Sequence, residues 1–221
     1  MPLAGHGLRP TPLRRWASRP QLKRDPLGRT CLSSGLHMRV TFAQAVESDA
    51  AAIAALRNAA ANHLTTRFGK GHWSGQVTER GVRSSMRHAK LVVGWAGRRI
   101  VAVVRLATKK PWAIDATYFT PCRRPLYLTD MAVAPAWQGK GVGRVCMDQA
   151  IRLAETWPGD AIRLDAYGAP AGAAAFYFKC GFVNRGRVTY RGTPLVYYEL
   201  LLSRAKQVRP NKRLKLTGAR K

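Results

Sequence analysis

The sequence predicts an α/β domain with one central, mixed and mostly antiparallel β-sheet flanked by helices. Short apolar runs rich in β-branched residues alternate with helical patterns in the order β-α-α-β-β-β-α-β-α-β-β. Two pairs of runs are joined by short glycine-containing turns, at 97–98 and 191–193, which is typical of antiparallel hairpins. Other runs are separated by helical stretches, which favours crossover connections. Hairpins and crossovers in one chain therefore predict a single mixed sheet.

The individual elements follow from local signals. Met38 is followed at once by a strand pattern, and Ser48 is predicted to cap the first helix. Pro158 and Gly159 are expected to end the long helix that follows a glycine-rich turn. The predicted elements are strand 40–45, helices 49–63 and 78–88, strands 90–96, 99–108 and 126–133, helix 144–157, strand 162–167, helix 171–180, and strands 182–189 and 195–202.

The charge distribution divides the chain into three parts. Of the formal net charge of +27, residues 1–37 carry +6 and residues 203–221 carry +8, which leaves +13 for residues 38–202. Both ends lack strand or helix periodicity, so they cannot bury enough apolar surface to offset their ordering entropy. We therefore expect a disordered or mis-annotated basic extension at 1–37, a folded domain at 38–202 that begins at Met38, and a basic disordered tail at 203–221.

The composition indicates a globular protein. Hydrophobic residues make up 46% of the chain, yet no apolar run approaches the about 18 residues typical of a membrane-spanning helix. The four cysteines form no Cys-x-x-Cys pair, and no two histidines have the spacing of zinc ligands. We therefore expect a cytoplasmic protein with reduced thiols, without a metal or a membrane partner, and either monomeric or homodimeric.

The most informative segment joins the strand 126–133 to the helix 144–157. It contains three glycines in five residues, Gly139, Gly141 and Gly143, which let the backbone lie against a ligand. The first amides of the following helix lack intrahelical partners, and the helix dipole adds partial positive charge there, so a phosphate-bearing ligand is predicted. A Walker loop would need Ser or Thr after Lys140, and a dinucleotide fingerprint would need G-x-G-x-x-G; neither pattern is present.

The spacing of Gln138, Gly141 and Gly143, Q-x-x-G-x-G, resembles the GCN5-related N-acetyltransferase (GNAT) superfamily. The resemblance covers essentially all of residues 38–202, including the order of the elements. It implies that the backbone amides of the turn hold the pyrophosphate of acetyl-CoA, a co-substrate, and that the preceding strand offers backbone groups to the pantetheine arm. Lys140 and Arg144 would add charge-assisted contacts. The cofactor-binding residues implied in this way are Met131, Ala132, Val133, Gln138, Gly139, Lys140, Gly141, Val142, Gly143 and Arg144.

A second stretch, residues 176–182, resembles the F-Y-x-x-x-G-F pattern of the same family. The resemblance implies that Tyr177 points at the CoA sulfur and protonates the departing thiolate. A phenol with a pKa of about 10 can donate to a thiolate whose conjugate acid has a pKa of about 8.5. A tyrosine that only packs in the core is the alternative interpretation. The chain departs from the family at Pro170, where many members have an asparagine that contacts the cofactor.

The resemblance implies a direct attack of an amine on the acetyl thioester. A base must remove a proton from the amine, and a backbone N–H near Val133 would donate to the oxyanion. Asp130, on the strand beside the cofactor, is the first candidate for the base, and Asp165 on the neighbouring strand is the second. Further candidates in or near the substrate-side loops are Asp115, Glu79 and His72.

The acceptor itself stays open, as a small-molecule or peptide amine. The alternative function is that of a basic nucleic-acid-associated protein, because a basic domain attracts phosphates. Within the resemblance this alternative includes an acetyltransferase of toxin type that acts on tRNA-linked amino acids. No recognised nucleic-acid motif supports it. A cofactor-binding module without catalysis is a third interpretation.

Overall fold

The structure, a computed structural model, describes residues 23–24, 30–32, 40–170 and 172–202. Within these ranges no helix is both long and apolar enough to cross a membrane. The strands are β1 Lys23–Arg24, β2 Thr30–Leu32, β3 Val40–Gln44, β4 Ala89–Ala96, β5 Arg99–Ala107, β6 Pro125–Val133, β7 Ala161–Tyr167, β8 Val183–Tyr190 and β9 Thr193–Leu201. The α-helices are α1 Ala50–Phe68, α2 Glu79–Met86, α3 Val142–Thr156 and α4 Ala174–Lys179.

The strands form one sheet in the order β1-β2-β3-β4-β5-β6-β7-β9-β8. β6 and β7 run parallel and are connected through α3, whereas every other neighbouring pair of described strands is antiparallel. The two predicted hairpins are β4–β5, with Gly97 in the left-handed region at φ 57°, and β8–β9. From β3 onward the order of elements is the predicted one, so the mixed, mostly antiparallel sheet is confirmed.

The sheet reaches upstream of the domain start that the sequence predicts at Met38. β1 pairs with β2, and β2 pairs with β3, both antiparallel. The rest of the predicted extension 1–37, and the predicted tail 203–221, lie outside the described residues.

The sheet has a different cover on each face. On one face α3 and α4 pack over a large core that includes Met147, Ile162 and Leu164, all fully buried. Burial of each such side chain contributes roughly 1.5–3 kcal/mol. On the other face α1 and α2 cover β4 and β5 through Ile53, while the β5–β6 connection covers Tyr127 through Phe119. These two separate clusters on the second face flank the strip of sheet that carries the candidate site.

The first helix differs from its prediction at both ends. Ser48 does not cap it; Ser48 lies in a short 3₁₀ turn at Glu47–Asp49, and the Asp49 carboxylate accepts from the Val46 amide at 2.9 Å. α1 runs past the predicted end at residue 63 to Phe68, because its alanine-rich centre is followed by no helix breaker before Gly69.

The last helix begins later than predicted, at Ala174 rather than at residue 171. Gly172 belongs instead to a tight turn in which its amide donates to the Ala169 carbonyl at 2.7 Å. A Cβ on Gly172 would lie 2.0 Å from the Tyr167 carbonyl oxygen, so this turn requires glycine. The turn therefore separates β7 from α4, and α4 carries Tyr177 in less than two turns of helix.

Candidate active site

β6 and β7 diverge, and this opens the sheet. They pair for three residues only, ending with Tyr127 opposite Arg163. Beyond this point β6 continues along β5 to Val133, and β7 continues along β9 to Tyr167. The facing edges of the two strands therefore have no strand partner within the described sheet. Backbone N–H and C=O groups on such an edge can pair with an extended ligand in the manner of an added strand.

The glycine-rich turn lies at the end of β6, next to this opening. Gly141 is the N-cap of α3 and adopts the left-handed region at φ 81°, where glycine is strongly favoured. No described atom lies within 4 Å of the position that a Cβ on Gly141 would take. The first backbone hydrogen bonds of α3 run from Arg144 and Val145 to the Gly141 carbonyl, at 3.0 and 3.3 Å. The earlier amides therefore form an open helix N-terminus, which suits an anion.

The polar side chains of the turn have different surroundings. Gln138 donates from Nε2 to the Val133 carbonyl at 3.0 Å, which ties the turn to the end of β6. The Lys140 side chain is exposed at the turn. Arg144 donates to the Lys179 carbonyl at the C-terminus of α4 and lies 3.7 Å from Asp148. Arg144 therefore links α3 to α4, in addition to the positive charge that it adds beside the turn.

Tyr177 lies in a buried aromatic cluster on the face of the sheet that α3 and α4 cover. Its ring packs at about 65° to the ring of Phe182 and at 36° to the ring of Tyr198, with centroids 5.8 and 5.6 Å away. Burial raises the pKa of Tyr177, and the charges of Asp165 and Asp130 raise it further. The phenol is therefore neutral at physiological pH and can act as a hydrogen-bond and proton donor.

Asp130 is the predicted base, and the structure pairs it with an arginine from α1. Arg57 Nε lies 2.6 Å from Asp130 Oδ2, and the Asp130 side chain is only 14% exposed. Burial raises the pKa of Asp130, against the opposing charges of Arg57 and Arg105. A bulge in β6 opposite Arg105 turns Thr129 and Asp130 toward the face of the sheet that α1 covers. Thr129 accepts a hydrogen bond from Arg105 Nε at 2.7 Å.

Sequence reasoning missed Arg57, although a signal was present. Arg57 stands four residues after Ile53 and seven after Ala50, both buried, so helical spacing puts it on the face of α1 that covers the sheet. A charged residue on a buried stripe needs a partner there, and Asp130 is that partner.

Asp165 and Tyr167 lie on β7 across the opening. Ile162 and Leu164 point into the core on the α3 side, so strand alternation directs Asp165 and Tyr167 to the opposite face. The turn between α1 and α2 reaches this point. The His72 ring stacks on Tyr167 with centroids 6.4 Å apart, and the Trp73 ring meets Tyr167 edge-on at 5.6 Å.

The remaining candidates for a base have other partners. Glu79 forms an ion pair with Arg83 one turn along α2, at 2.6 Å. The exposed Asp115 carboxylate caps a 3₁₀ turn by accepting from Thr117. Pro170, at the departure from the family pattern, is exposed in the turn that follows β7. The structure therefore places Asp130 and Asp165 on the two strands that flank the opening, and it leaves Asp115 and Glu79 in contacts of their own.

Comparison with solved structures finds the same fold in several acetyltransferases. The ribosomal-protein-S18-alanine N-acetyltransferase of Escherichia coli aligns with a TM-score of 0.57 at 18% identity, over 76% of this chain and 97% of that one. The yncA protein of Salmonella typhimurium, solved with its cofactor acetyl-CoA, aligns with a TM-score of 0.57 at 17% identity, over 78% and 98%. The paiA N-acetyltransferase of Thermoplasma acidophilum, solved with coenzyme A, has the same TM-score at 11% identity, over 74% and 99%.

Sequence comparison finds a family match over part of the chain. No curated protein matches the chain significantly. Residues 87–184, which run from the end of α2 to the start of β8, match the family model described as an acetyltransferase (GNAT) domain. This region contains the diverging strands, the glycine-rich turn and Tyr177. The comparisons give no support to a nucleic-acid-binding function. Residues 87–184 are therefore similar to the acetyltransferase (GNAT) domain, and the acetyltransferases named above share the fold of this chain.

Proposed function

We propose that the protein transfers the acetyl group of acetyl-CoA to a primary amine by direct attack. One observation carries the proposal: β6 and β7 diverge immediately beside an open helix N-terminus built on Gly141. This arrangement offers backbone groups for an extended pantetheine arm and amides for a pyrophosphate at the two ends of one ligand.

The residues proposed to bind the co-substrate follow from this arrangement. Met131, Ala132 and Val133 lie on the part of β6 whose edge faces the opening. The turn and first turn of helix, residues 138–144, would surround the pyrophosphate with backbone amides. The open space around Gly141 fits a ligand that lies directly on the backbone. Lys140 would add its charge, and Gln138 would hold the shape of the turn.

The chemistry proposed for the chain is simple. Acetyl-CoA supplies an acetyl thioester. The amine nitrogen forms a bond to the acetyl carbon as the carbon–sulfur bond breaks, and of the two protons that the ammonium loses, one reaches the departing sulfur and the other reaches solvent. Tyr177 is the proposed donor to the sulfur. A backbone N–H at the end of β6 is the proposed donor to the thioester oxygen. Asp130 is a proposed proton acceptor. Its ion pair with Arg57 favours the charged form, which is the form that can accept a proton.

Acetyl-CoA is expected to stabilise the protein. At a hundredfold excess over Kd, a ligand that binds only the native state adds about 2.7 kcal/mol, which corresponds to a rise in Tm of about 5–10 °C for a domain of this size. Gly141→Ala is expected to weaken acetyl-CoA binding by about tenfold or more, because the strained turn would displace an amide that donates to a phosphate. Thermal-shift titration measures both effects.

Gly97→Ala is the matched control. Gly97 also has positive φ and open space at its Cβ position, but it lies in the β4–β5 turn. Both variants should lose a similar free energy of unfolding, about 1–2 kcal/mol, and only Gly141→Ala should lose affinity. Equal acetyl-CoA affinity in the two variants would remove the turn from the proposed site.

We further propose that residues 38–202 are the catalytic unit. Deleting 1–37 and 203–221 removes β1 and β2 and leaves β3 as the edge of the sheet. The truncated protein is expected to keep the acetyl-CoA-dependent rise in Tm, because the turn, α3 and α4 lie within the retained range. A truncated protein that is unfolded by circular dichroism would show that the ends belong to the folded unit.

A further inference from the structure

The face of the sheet that carries α1 holds two carboxylates on opposite sides of the opening. Asp130 lies on β6 and Asp165 lies on β7. The charge of Asp165 contributes, after burial, to the raised pKa values of Tyr177, Tyr167 and Tyr197. Asp165 lies two residues before Tyr167 on β7 and opposite Tyr197 on β9, next to the proposed acyl donor site.

The two carboxylates differ in their partners. Asp130 has Arg57 at 2.6 Å and lies close enough to Arg105 for that charge to act on it. Asp165 makes no salt bridge within the part of the chain that the structure describes. Burial raises the pKa of Asp165. A half-buried carboxylate without a cation is costly unless a ligand supplies the cation.

Aromatic side chains form the wall beside Asp165. Tyr167 follows two residues later on the same face of β7, and the rings of His72 and Trp73 contact it. On β9, Tyr197 is the register partner of Asp165, and its hydroxyl is held by the Ala113 carbonyl and the Asp115 amide. A cation beside aromatic faces gains further attraction, and an apolar body attached to it gains contact area.

Two loops meet beside these aromatic side chains and limit the length of the acceptor that can bind there. Thr193 Oγ1, at the start of β9, lies 2.5 Å from His72 Nε2 in the α1–α2 turn. The turn is itself tied to α1, since Ser74 Oγ bonds Thr65 Oγ1 at 2.6 Å and accepts from the Gly71 amide at 3.1 Å. An extended peptide would have to part these loops, whereas a small molecule would not. Across the opening, Arg57 and Arg105 would repel a second positive charge on the acceptor.

We propose that the acceptor is a small primary amine with one positive charge and an apolar or aromatic body, whose ammonium binds the Asp165 carboxylate while its body lies against Tyr167, His72 and Trp73. This inference rests on the proposed acetyl transfer. It assigns Asp165 to acceptor binding and leaves Asp130, held by Arg57, as the proposed proton acceptor. It disfavours extended peptides and polyamines as acceptors.

The first test compares acceptors on the full chain. Thiol release from acetyl-CoA is measured with 2-phenylethylamine, with spermidine and with an octapeptide that has a free N-terminal alanine. The expected kcat/KM for 2-phenylethylamine is at least tenfold above that for the other two. If acetyl-CoA raises Tm but the peptide or spermidine is preferred, or no amine is used, the acceptor inference is overturned and the cofactor site stands. If acetyl-CoA has no effect on Tm, the proposed function itself fails.

The second test substitutes residues of the proposed acceptor site. Asp165→Asn keeps the shape and removes the charge, and the KM for 2-phenylethylamine is expected to rise about 10- to 100-fold, with the acetyl-CoA-dependent rise in Tm unchanged. Glu47→Gln, at a carboxylate whose side chain is 74% exposed and lies outside the proposed site, is the control and should leave KM unchanged. Thr193→Val removes the contact with His72 and is expected to raise turnover of the octapeptide relative to 2-phenylethylamine. An unchanged KM in Asp165→Asn would overturn the assignment of Asp165.

Discussion

Replacing Tyr177 with phenylalanine is expected to lower kcat by about 100-fold or more while acetyl-CoA binding is retained. The substitution removes the proposed proton donor to the departing sulfur, and general acid catalysis is typically worth about 10²–10⁴ in rate. Phenylalanine keeps the ring among Phe176, Phe182 and Tyr198, so the aromatic cluster should repack little. The raised pKa of Tyr177 keeps the phenol protonated, so the native enzyme has the proton available at neutral pH.

Tyr198→Phe provides the matched control for this experiment. Tyr198 is also buried, and its ring centroid lies 5.6 Å from that of Tyr177. Its substitution removes a hydroxyl from the same cluster without touching the proposed donor. Thiol release with saturating acetyl-CoA, together with thermal shift, separates turnover from binding. Equal turnover in wild type and Tyr177→Phe would assign Tyr177 to packing alone, and an equal loss in both variants would trace the effect to the cluster.

The geometry of the glycine-rich turn could be predicted because its signals are local in sequence. The turn at 138–143 is a strand end, a run of glycines and a helix start, and each acts through its own backbone. Positive φ at Gly139 and Gly141 and the open N-terminus of α3 follow from these few residues. Tyr177 could be placed because α4 and the following Gly181 are close along the chain.

The proposed acceptor site depends on contacts between distant parts of the chain. His72 and Thr193 are 121 residues apart, and they meet only because the α1–α2 turn crosses the end of β7. Asp130 could be placed on a strand beside the opening, but its pairing with Arg57 arises from the packing of α1 on the sheet. Strand position alone therefore predicted Asp130 as the base, and it could not distinguish it from Asp165.

Helix boundaries and helix faces were predicted less well where alanine dominates. α1 buries Ile53 and Leu56, whereas Ala51 and Ala55, which the sequence also suggests as apolar positions, are exposed. Alanine is small and a strong helix former, so it carries little information about which side is covered. In strand β9 the apolar pattern gives no sign that the Glu199 carboxylate is fully buried.

Glu199, on β9, joins the β5–β6 connection to strands β7 and β8. Its carboxylate pairs with Arg163 on β7 at 3.0 Å and with Arg185 on β8 at 2.7 Å, and it accepts from the Thr120 amide at 3.2 Å. Arg163 also donates to the Thr120 carbonyl at 2.5 Å. Burial alone would raise the pKa of Glu199, but the hydrogen bonds from Thr120 and Arg163 and the charge of Arg185 together hold it below its usual value.

The lowered pKa of Glu199 determines how its contribution to the free energy of unfolding depends on pH. A carboxylate with a lower pKa in the folded state than in the unfolded state stabilises the fold fully above the unfolded pKa. The contribution is lost as pH falls through the folded value. The free energy of unfolding is therefore expected to decrease in acid, and a variant without the Glu199 carboxylate should show a smaller decrease.

Glu199→Gln is expected to lower the free energy of unfolding by about 3–5 kcal/mol at neutral pH, because it leaves the Arg163 charge buried without its partner.

Glu47→Gln is the matched control: its side chain is 74% exposed, its ion pair with Arg83 is 3.0 Å long, and an exposed pair contributes about 0–1 kcal/mol. Arg185→Met is a milder variant that keeps the Arg163–Glu199 pair and should remain folded if Glu199→Gln does not. Urea unfolding measures all three, and equal losses in Glu199→Gln and Glu47→Gln would show that the buried network adds no stability. A large loss confined to Glu199→Gln would show that the buried network stabilises the fold around β7, on which Arg163 lies two residues before Asp165.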